Sequence, residues 1–222
     1  MITKLVRLAG LAGLLLTAAP AVAADDELEL WLNPSVTTKL DSRTSIELET
    51  AQRFRSDQAG GDTYFARLWL GRRVAKDVKL SLGAERRWQG SDRETRLHQQ
   101  ASYGLGPIDM RTRLEQRFLS DDPRTSWRLR HRVGASVPLR NSDWSLAGNA
   151  EGFFTLRAAE RGGQTGLTGV RTFVGVEREI GQVELSLGYL RQQTIRRAAP
   201  DRIGHAPFIG LGFNFCGQAA PF

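Results

Sequence analysis

The chain has 222 residues, with 31 lysines and arginines against 24 acids and a formal net charge of +7. A single cysteine, Cys216, excludes an intramolecular disulfide, and no Cys/His spacing suggests a metal or a cofactor, so packing and hydrogen bonds alone must hold the fold. The basic excess suits an anionic lipid surface or anionic solutes.

At the start, Lys4 and Arg7 precede the apolar run Leu8 to Ala19 and then Ala21-Val22-Ala23. This basic, apolar, small-residue order is that of a secretory signal peptide spanning residues 1–23, with cleavage expected after Ala23. The apolar run is too short to cross a bilayer as a helix and ends at Pro20. Every later apolar run is interrupted by charges within a few residues, which excludes a helical membrane protein. An exported chain is not expected to meet nucleic acid. Residues 24–222 read as one domain, without a linker or a break in composition.

From Leu28 onward the apolar residues recur with period two, the signature of strands with unlike faces. The first segment, Leu28 to Leu40, contains Pro34 and leaves its pairing open: it splits, lies partly inside a barrel, or pairs irregularly. Thr44 to Arg55 sets Ile46, Leu48 and Phe54 against Glu47, Glu49, Arg53 and Arg55; Val78 to Arg87 sets Val78, Leu80 and Leu82 against Lys79, Glu85 and Arg87. In Ile108 to Phe118, Ile108, Met110, Thr112, Leu114 and Phe118 oppose Asp109, Arg111, Arg113, Glu115 and Arg117. The pattern returns in Trp127 to Val137, Val170 to Arg178 and Val183 to Tyr189.

The connections alternate between tight turns, as at Asp41-Ser42, Gly106-Pro107 and Ile180-Gly181-Gln182, and longer polar stretches. The longer ones fall at Ser56 to Asp62, Gln89 to Arg93, Ser120 to Arg124, Ala158 to Gly166 and Arg196 to Gly204. A meander with turns at one rim and loops at the other predicts an all-β, transmembrane, antiparallel up-and-down β-barrel of about 10–12 strands. A soluble periplasmic β-barrel or sandwich shares the alternation, but runs of about ten to thirteen residues suit a tilted bilayer crossing better than a sandwich. Aromatic residues near the strand ends, at Trp31, Tyr64, Trp88, Phe118, Trp127, Trp144, Phe154 and Tyr189, are expected in girdles at the two membrane interfaces. The last strand, Phe208 to Phe215, carries Gly210, spaced apolar residues, Phe213 and the closing aromatic Phe215, and resembles the signal read by the barrel assembly machinery during insertion. The tail Cys216 to Phe222 departs from that signal, which usually closes the chain.

If the apolar faces meet outer-membrane lipid, a lumen charge network is predicted from Glu47, Glu49, Arg53, Arg67, Lys79, Glu85, Arg87, Arg111, Arg113, Glu115, Arg117, Arg128, Arg130, Arg132, Glu151, Arg171 and Glu177. An Arg or Lys facing lipid near the midplane costs roughly 2 to 4 kcal/mol, so such a face must turn inward. The expected lumen is either plugged by its paired charges or a narrow, porin-like, anion-favouring pore. An outer-membrane lipid hydrolase or deacylase would need a nucleophile and a base, and only His98, His131 and His205 are candidates. His98 shares a face with Glu94, Arg96, Gln100 and Ser102, but positions four apart on one strand stand about 13 Å apart. His131 lies on an apolar face and His205 is expected in a surface loop, so no catalytic residues are assigned and no enzyme is expected.

An early Trp31, strands ending Glu85-Arg86-Arg87 and Glu115-Gln116-Arg117, the run Arg128-Leu129-Arg130-His131-Arg132 and the later Glu151-Gly152-Phe153-Phe154 together resemble domain-of-unknown-function family 2490. These proteins are predicted outer-membrane barrels of Gram-negative bacteria. The resemblance spans nearly the whole mature chain and implies a barrel without an assigned reaction.

Overall fold

A computed structural model describes residues 25–55, 61–122 and 124–215. The expected signal peptide, the start of the Ser56 to Asp62 connection and the tail beginning at Cys216 lie outside the described residues. Among the described residues eleven strands follow one another without a helix: β1 (Asp25–Lys39), β2 (Thr44–Arg55), β3 (Thr63–Ala75), β4 (Val78–Gln89), β5 (Asp92–Leu105), β6 (Ile108–Leu119), β7 (Ser126–Pro138), β8 (Trp144–Arg157), β9 (Gly166–Ile180), β10 (Val183–Thr194) and β11 (Arg202–Phe215). Each strand pairs with its sequence neighbours, and β1 meets β11 to close the barrel.

Ten of the eleven seams are antiparallel and the closing one is parallel, running in register from Asp25 beside Arg202 to Thr38 beside Phe215. An odd number of up-and-down strands leaves the first and last pointing the same way, so only a parallel pair can close the ring. The segment whose pairing the sequence left open is therefore a full strand. Pro34 interrupts its pairing with β2, where the ladder is missing between Leu32 and Ser35, but not its register with β11. Arg202 ties the seam further through an ion pair to Glu27.

Connections 40–43, 76–77, 106–107, 139–143 and 181–182 lie at one rim, which also receives the end of β11. Gly106 and Gly181 adopt φ of 62° and 61°, the left-handed backbone that a two-residue hairpin favours. The other rim carries connections 56–62, 90–91, 120–125, 158–165 and 195–201 together with the start of β1. Two expected loops are shorter than the sequence suggested. Gln89 and Asp92 already pair, leaving a two-residue turn with Gly90 at φ 56°, and β11 begins at Arg202.

Alternation separates the two faces. Every strand carries large apolar residues at outward positions, among them Leu30, Leu48, Leu68, Leu82, Leu97, Phe118, Val133, Leu146, Val174, Leu187 and Leu211. Inward positions hold the charged residues and an apolar cluster of Trp31, Ala147, Phe173, Leu190 and Ala206, with Phe208 packed against it. The interior of this barrel is thus more polar than its exterior.

Candidate functional site

The lumen is built by cross-strand register. Glu49, Arg67, Glu85 and Arg96 stand opposite one another on β2, β3, β4 and β5, so alternating signs become neighbours. Arg67 Nη1 donates to Glu49 Oε2 at 2.7 Å, and its other nitrogens donate to Glu85. Arg96 is 3.0 Å from Glu85 and 2.6 Å from Glu94, which also takes Arg117.

A second set of pairs continues on β6 to β9. Glu115, wholly inaccessible, accepts from Arg128 Nε at 2.7 Å and from Arg130 Nη1 at 2.9 Å. Glu151 accepts from Arg130 at 2.6 Å and from Arg111 at 2.7 Å, and lies 3.7 Å from Arg171. Sharing each carboxylate among several guanidiniums supplies the bonds that a buried charge requires.

Between the two sets lies His98, whose side chain is inaccessible. Its Nε2 is 3.5 Å from Glu85 and its Nδ1 is 3.7 Å from Glu115, while its ring leans on Trp69 with centroids 5.3 Å apart. Distance along one strand suggested isolation for His98. Cross-strand register instead places Glu115 directly opposite it.

Aromatic rings fill the gaps between the charges. Arg67 stands 4.6 Å from the Phe65 ring centre, Arg113 4.7 Å from Trp69 and Arg130 4.7 Å from Phe153. Trp31 is reached from two sides of the sequence, by Arg53 of β2 at 3.7 Å and by Arg171 of β9 at 4.7 Å. Such contacts stabilise a desolvated cation by about 0.5 to 2 kcal/mol each. Trp31 was expected in an outer girdle; it is buried in the lumen, because it shares parity with Glu29, which accepts its indole N–H. Tyr64, Phe118, Phe154 and Tyr189 do lie exposed on the outer face. Sequence reasoning did not single out Phe65, Trp69, Phe173 or Phe208 as inward. Parity with Arg67 would have exposed the first two.

Of the charged residues expected in the lumen, Arg67 is buried and lines the cavity, and Lys79 is half-buried on the same side of the sheet as Ser81. Glu85 and Glu115 are buried in its wall, and Glu47, Glu49, Arg53, Arg87, Arg111, Arg113, Arg117, Arg128, Arg130, Arg132, Glu151, Arg171 and Glu177 line one cavity of about 650 Å³. That cavity reaches from Arg55 and Thr194, the last residues of β2 and β10, to Glu47, Glu177 and Glu184 near the turn rim. Its described lining holds twelve arginines and five glutamates.

The remaining candidates fall elsewhere. His131 is on the outer face, its Nδ1 3.0 Å from the Thr112 hydroxyl, which is itself 3.0 Å from that of Tyr103. His205 lies within β11 rather than in a loop, bonded to the Tyr189 hydroxyl and 3.5 Å from Asp26. No described histidine hydrogen-bonds a serine. On β11, Gly210 is buried against the lumen, whereas Phe213 and Phe215 are exposed on the outer face. Among the described residues no group of His, Cys, Asp and Glu is arranged to hold a metal ion.

The profile of a family described as protein of unknown function, DUF2490, matches residues 28–203. An uncharacterized protein of Methylorubrum extorquens is 31% identical over 127 residues, which cover 53% of this chain and 55% of the relative. The chain thus spans about half the length of the curated relative it matches. The motifs that carry the resemblance converge in space: Trp31, Glu85, Arg87, Glu115, Arg117, Arg128, Arg130, Glu151 and Phe153 all belong to the lumen or its wall.

Proposed function

The chain belongs to the DUF2490 family, and from that premise we propose that it is an outer-membrane β-barrel whose lumen forms a narrow, anion-favouring passage. The observation that carries this reading is the inversion of polarity, with large apolar side chains exposed on every strand around a closed ring and the ion pairs inside. Water rewards the opposite arrangement and lipid rewards this one. Strands of 12 to 15 residues are long enough to cross a bilayer at a tilt. Export through the periplasm and insertion by the barrel assembly machinery follow from the same reading, with lipid as the partner of the outer face.

The anion preference rests on the lining. Twelve guanidiniums line the cavity against five carboxylates, and with Glu29, Glu85, Glu94 and Glu115 of the wall counted the balance is twelve against nine, which still leaves a basic excess, and basic rings favour anionic solutes. Spread over a bilayer core about 30 Å thick, the cavity averages roughly 20 Å² in section, a width for small ions and not for oligosaccharides. The purified barrel, inserted in a planar bilayer with a potassium chloride gradient, is expected to conduct in small steps with a reversal potential on the chloride side. Absence of steps across a range of salt rejects the passage. Release of the mature chain from membranes by carbonate, without detergent, rejects the bilayer.

A further inference from the structure

We propose that Arg53 and Arg171, flanking Trp31 inside the lumen, form a binding site for a small tetrahedral oxyanion of the phosphate type. The starting point is what Arg53 lacks. Its neighbours Arg55, Arg67 and Arg96 are each bonded to carboxylates. The Arg53 side chain has no hydrogen bond or ion pair among the described residues, its Nε is buried without an acceptor, and its partners are the rings of Trp31 and Phe65. Glu29, the acid beside it, is already taken by Arg55 and the Trp31 indole.

Most of the surrounding charges are of the same sign. Arg171 and Arg87 are the like charges that act most strongly on Arg53. Arg87 donates only to the neutral oxygens of Thr63 and Gln89, and Arg171 donates chiefly to Gln192, with Glu151 at 3.7 Å. Three cations therefore converge on the cavity with little countercharge of their own.

Both guanidinium carbons lie within 4.7 Å of one indole centre, so they stand at most about 8 Å apart. A tetrahedral oxyanion seated beside the indole in the cavity that both arginines line would accept forked hydrogen bonds from each of them. Burial strengthens such a contact, because water competes less for the donors.

This site rests on the anion-favouring reading of the lumen but does not require conduction. Binding of inorganic phosphate to the refolded barrel in detergent is measured by isothermal titration calorimetry at low chloride. R53Q is expected to weaken binding at least tenfold. R171Q should weaken it similarly and R53K by less, because an ammonium lacks the fork. R86Q alters an outward arginine bonded to Thr95 and should leave binding unchanged. Arg53→Gln removes no hydrogen-bond partner, so heat-modifiable mobility on gels should confirm folding. Absence of phosphate binding by the folded wild type, or equal binding by R53Q, overturns the site. A barrel that binds phosphate without conducting rejects the passage and keeps the site; one that conducts chloride without binding phosphate does the reverse.

Discussion

From β3 to β8 the inward positions are rich in arginine, glutamate and aromatic residues, whereas on β10 and β11 the corresponding positions are mostly small or apolar, among them Ser186, Gly188, Leu190, Ala206, Phe208, Gly210 and Gly212. The charged wall is rigid because its carboxylates are shared: Glu85 joins Arg67 to Arg96, and Glu151 joins Arg130 to Arg111. The small-residue wall contributes space. Phe173 can lie flat there only because Gly188 lacks a side chain, since a Cβ at that position would come within 2.5 Å of the ring and of the Val174 carbonyl oxygen. The long guanidinium arms of one wall reach toward the gap left by the other, which explains why the cavity is lined so predominantly by cations. A barrel with eleven charged walls would be plugged; one with eleven small walls would lack the charges that set its preference.

The largest effect is expected from breaking the charged wall. Glu115→Gln leaves Arg128 without its buried partner charge and Arg130 with Glu151 alone, and should cost about 3 to 5 kcal/mol, measured by urea unfolding in detergent. A loss below about 1 kcal/mol would mean that water in the cavity replaces the carboxylate.

Turning an arginine to the outside tests the same contrast across the thickness of the wall. Leu68, exposed at the middle of β3, faces away from the cavity, next in sequence to the inward Arg67 and Trp69. Leu68→Arg should destabilise the barrel by roughly 2 to 4 kcal/mol in phospholipid and far less in short-chain detergent, where the head group reaches water. Equal stability in both media counts against a lipid-facing belt.

On the small-residue wall, Gly188→Val pushes against both Phe173 and the backbone of β9 and should cost about 1 to 3 kcal/mol. Because the displaced ring has only the cavity to move into, conductance should fall along with stability. A stable variant with unchanged conductance would show that Phe173 does not border the passage.

Both walls were legible in the sequence to different degrees. The charged wall follows from parity: once Arg111, Arg113, Glu115 and Arg117 share a face opposite Met110 and Leu114, the cost of an arginine in lipid fixes the inside. Parity does not give register, so the pairing of Glu115 with Arg128, and the placement of His98 between Glu85 and Glu115, required strand alignment. Trp31 was misplaced because an aromatic near a strand end fits a girdle as well as a lumen; the charged residue that points inward with it is Glu29, two residues before it. The parallel closure was hidden for a similar reason, since alternation in Leu28 to Leu40 is the same whichever direction the neighbouring strand runs.

The smallest effect belongs to the turn that joins β1 to β2, where the two kinds of wall meet. The Asp41 carboxylate accepts the backbone N–H of Arg43 at 2.6 Å and of Thr44 at 2.8 Å. These bonds, the one from Arg43 foremost, hold its carboxyl below the usual carboxylate range. A folded pKa below the unfolded one means that the charged form favours the fold above the ordinary Asp range, and that this contribution disappears as pH falls through the lowered value. Asp41→Asn keeps an acceptor for the turn but carries no charge. The wild type should therefore be slightly more stable than the variant at neutral pH, and the difference should close as acidification takes the pH below the ordinary Asp range. The turn is exposed, and it orients β1 without touching the lumen network, so conductance and phosphate binding should not change in this variant. A stability difference that persists unaltered into acid would assign the turn's contribution to hydrogen-bond geometry alone. It would also leave the seam between the walls set by β1 and β11, through Glu27 and Arg202, and not by this turn.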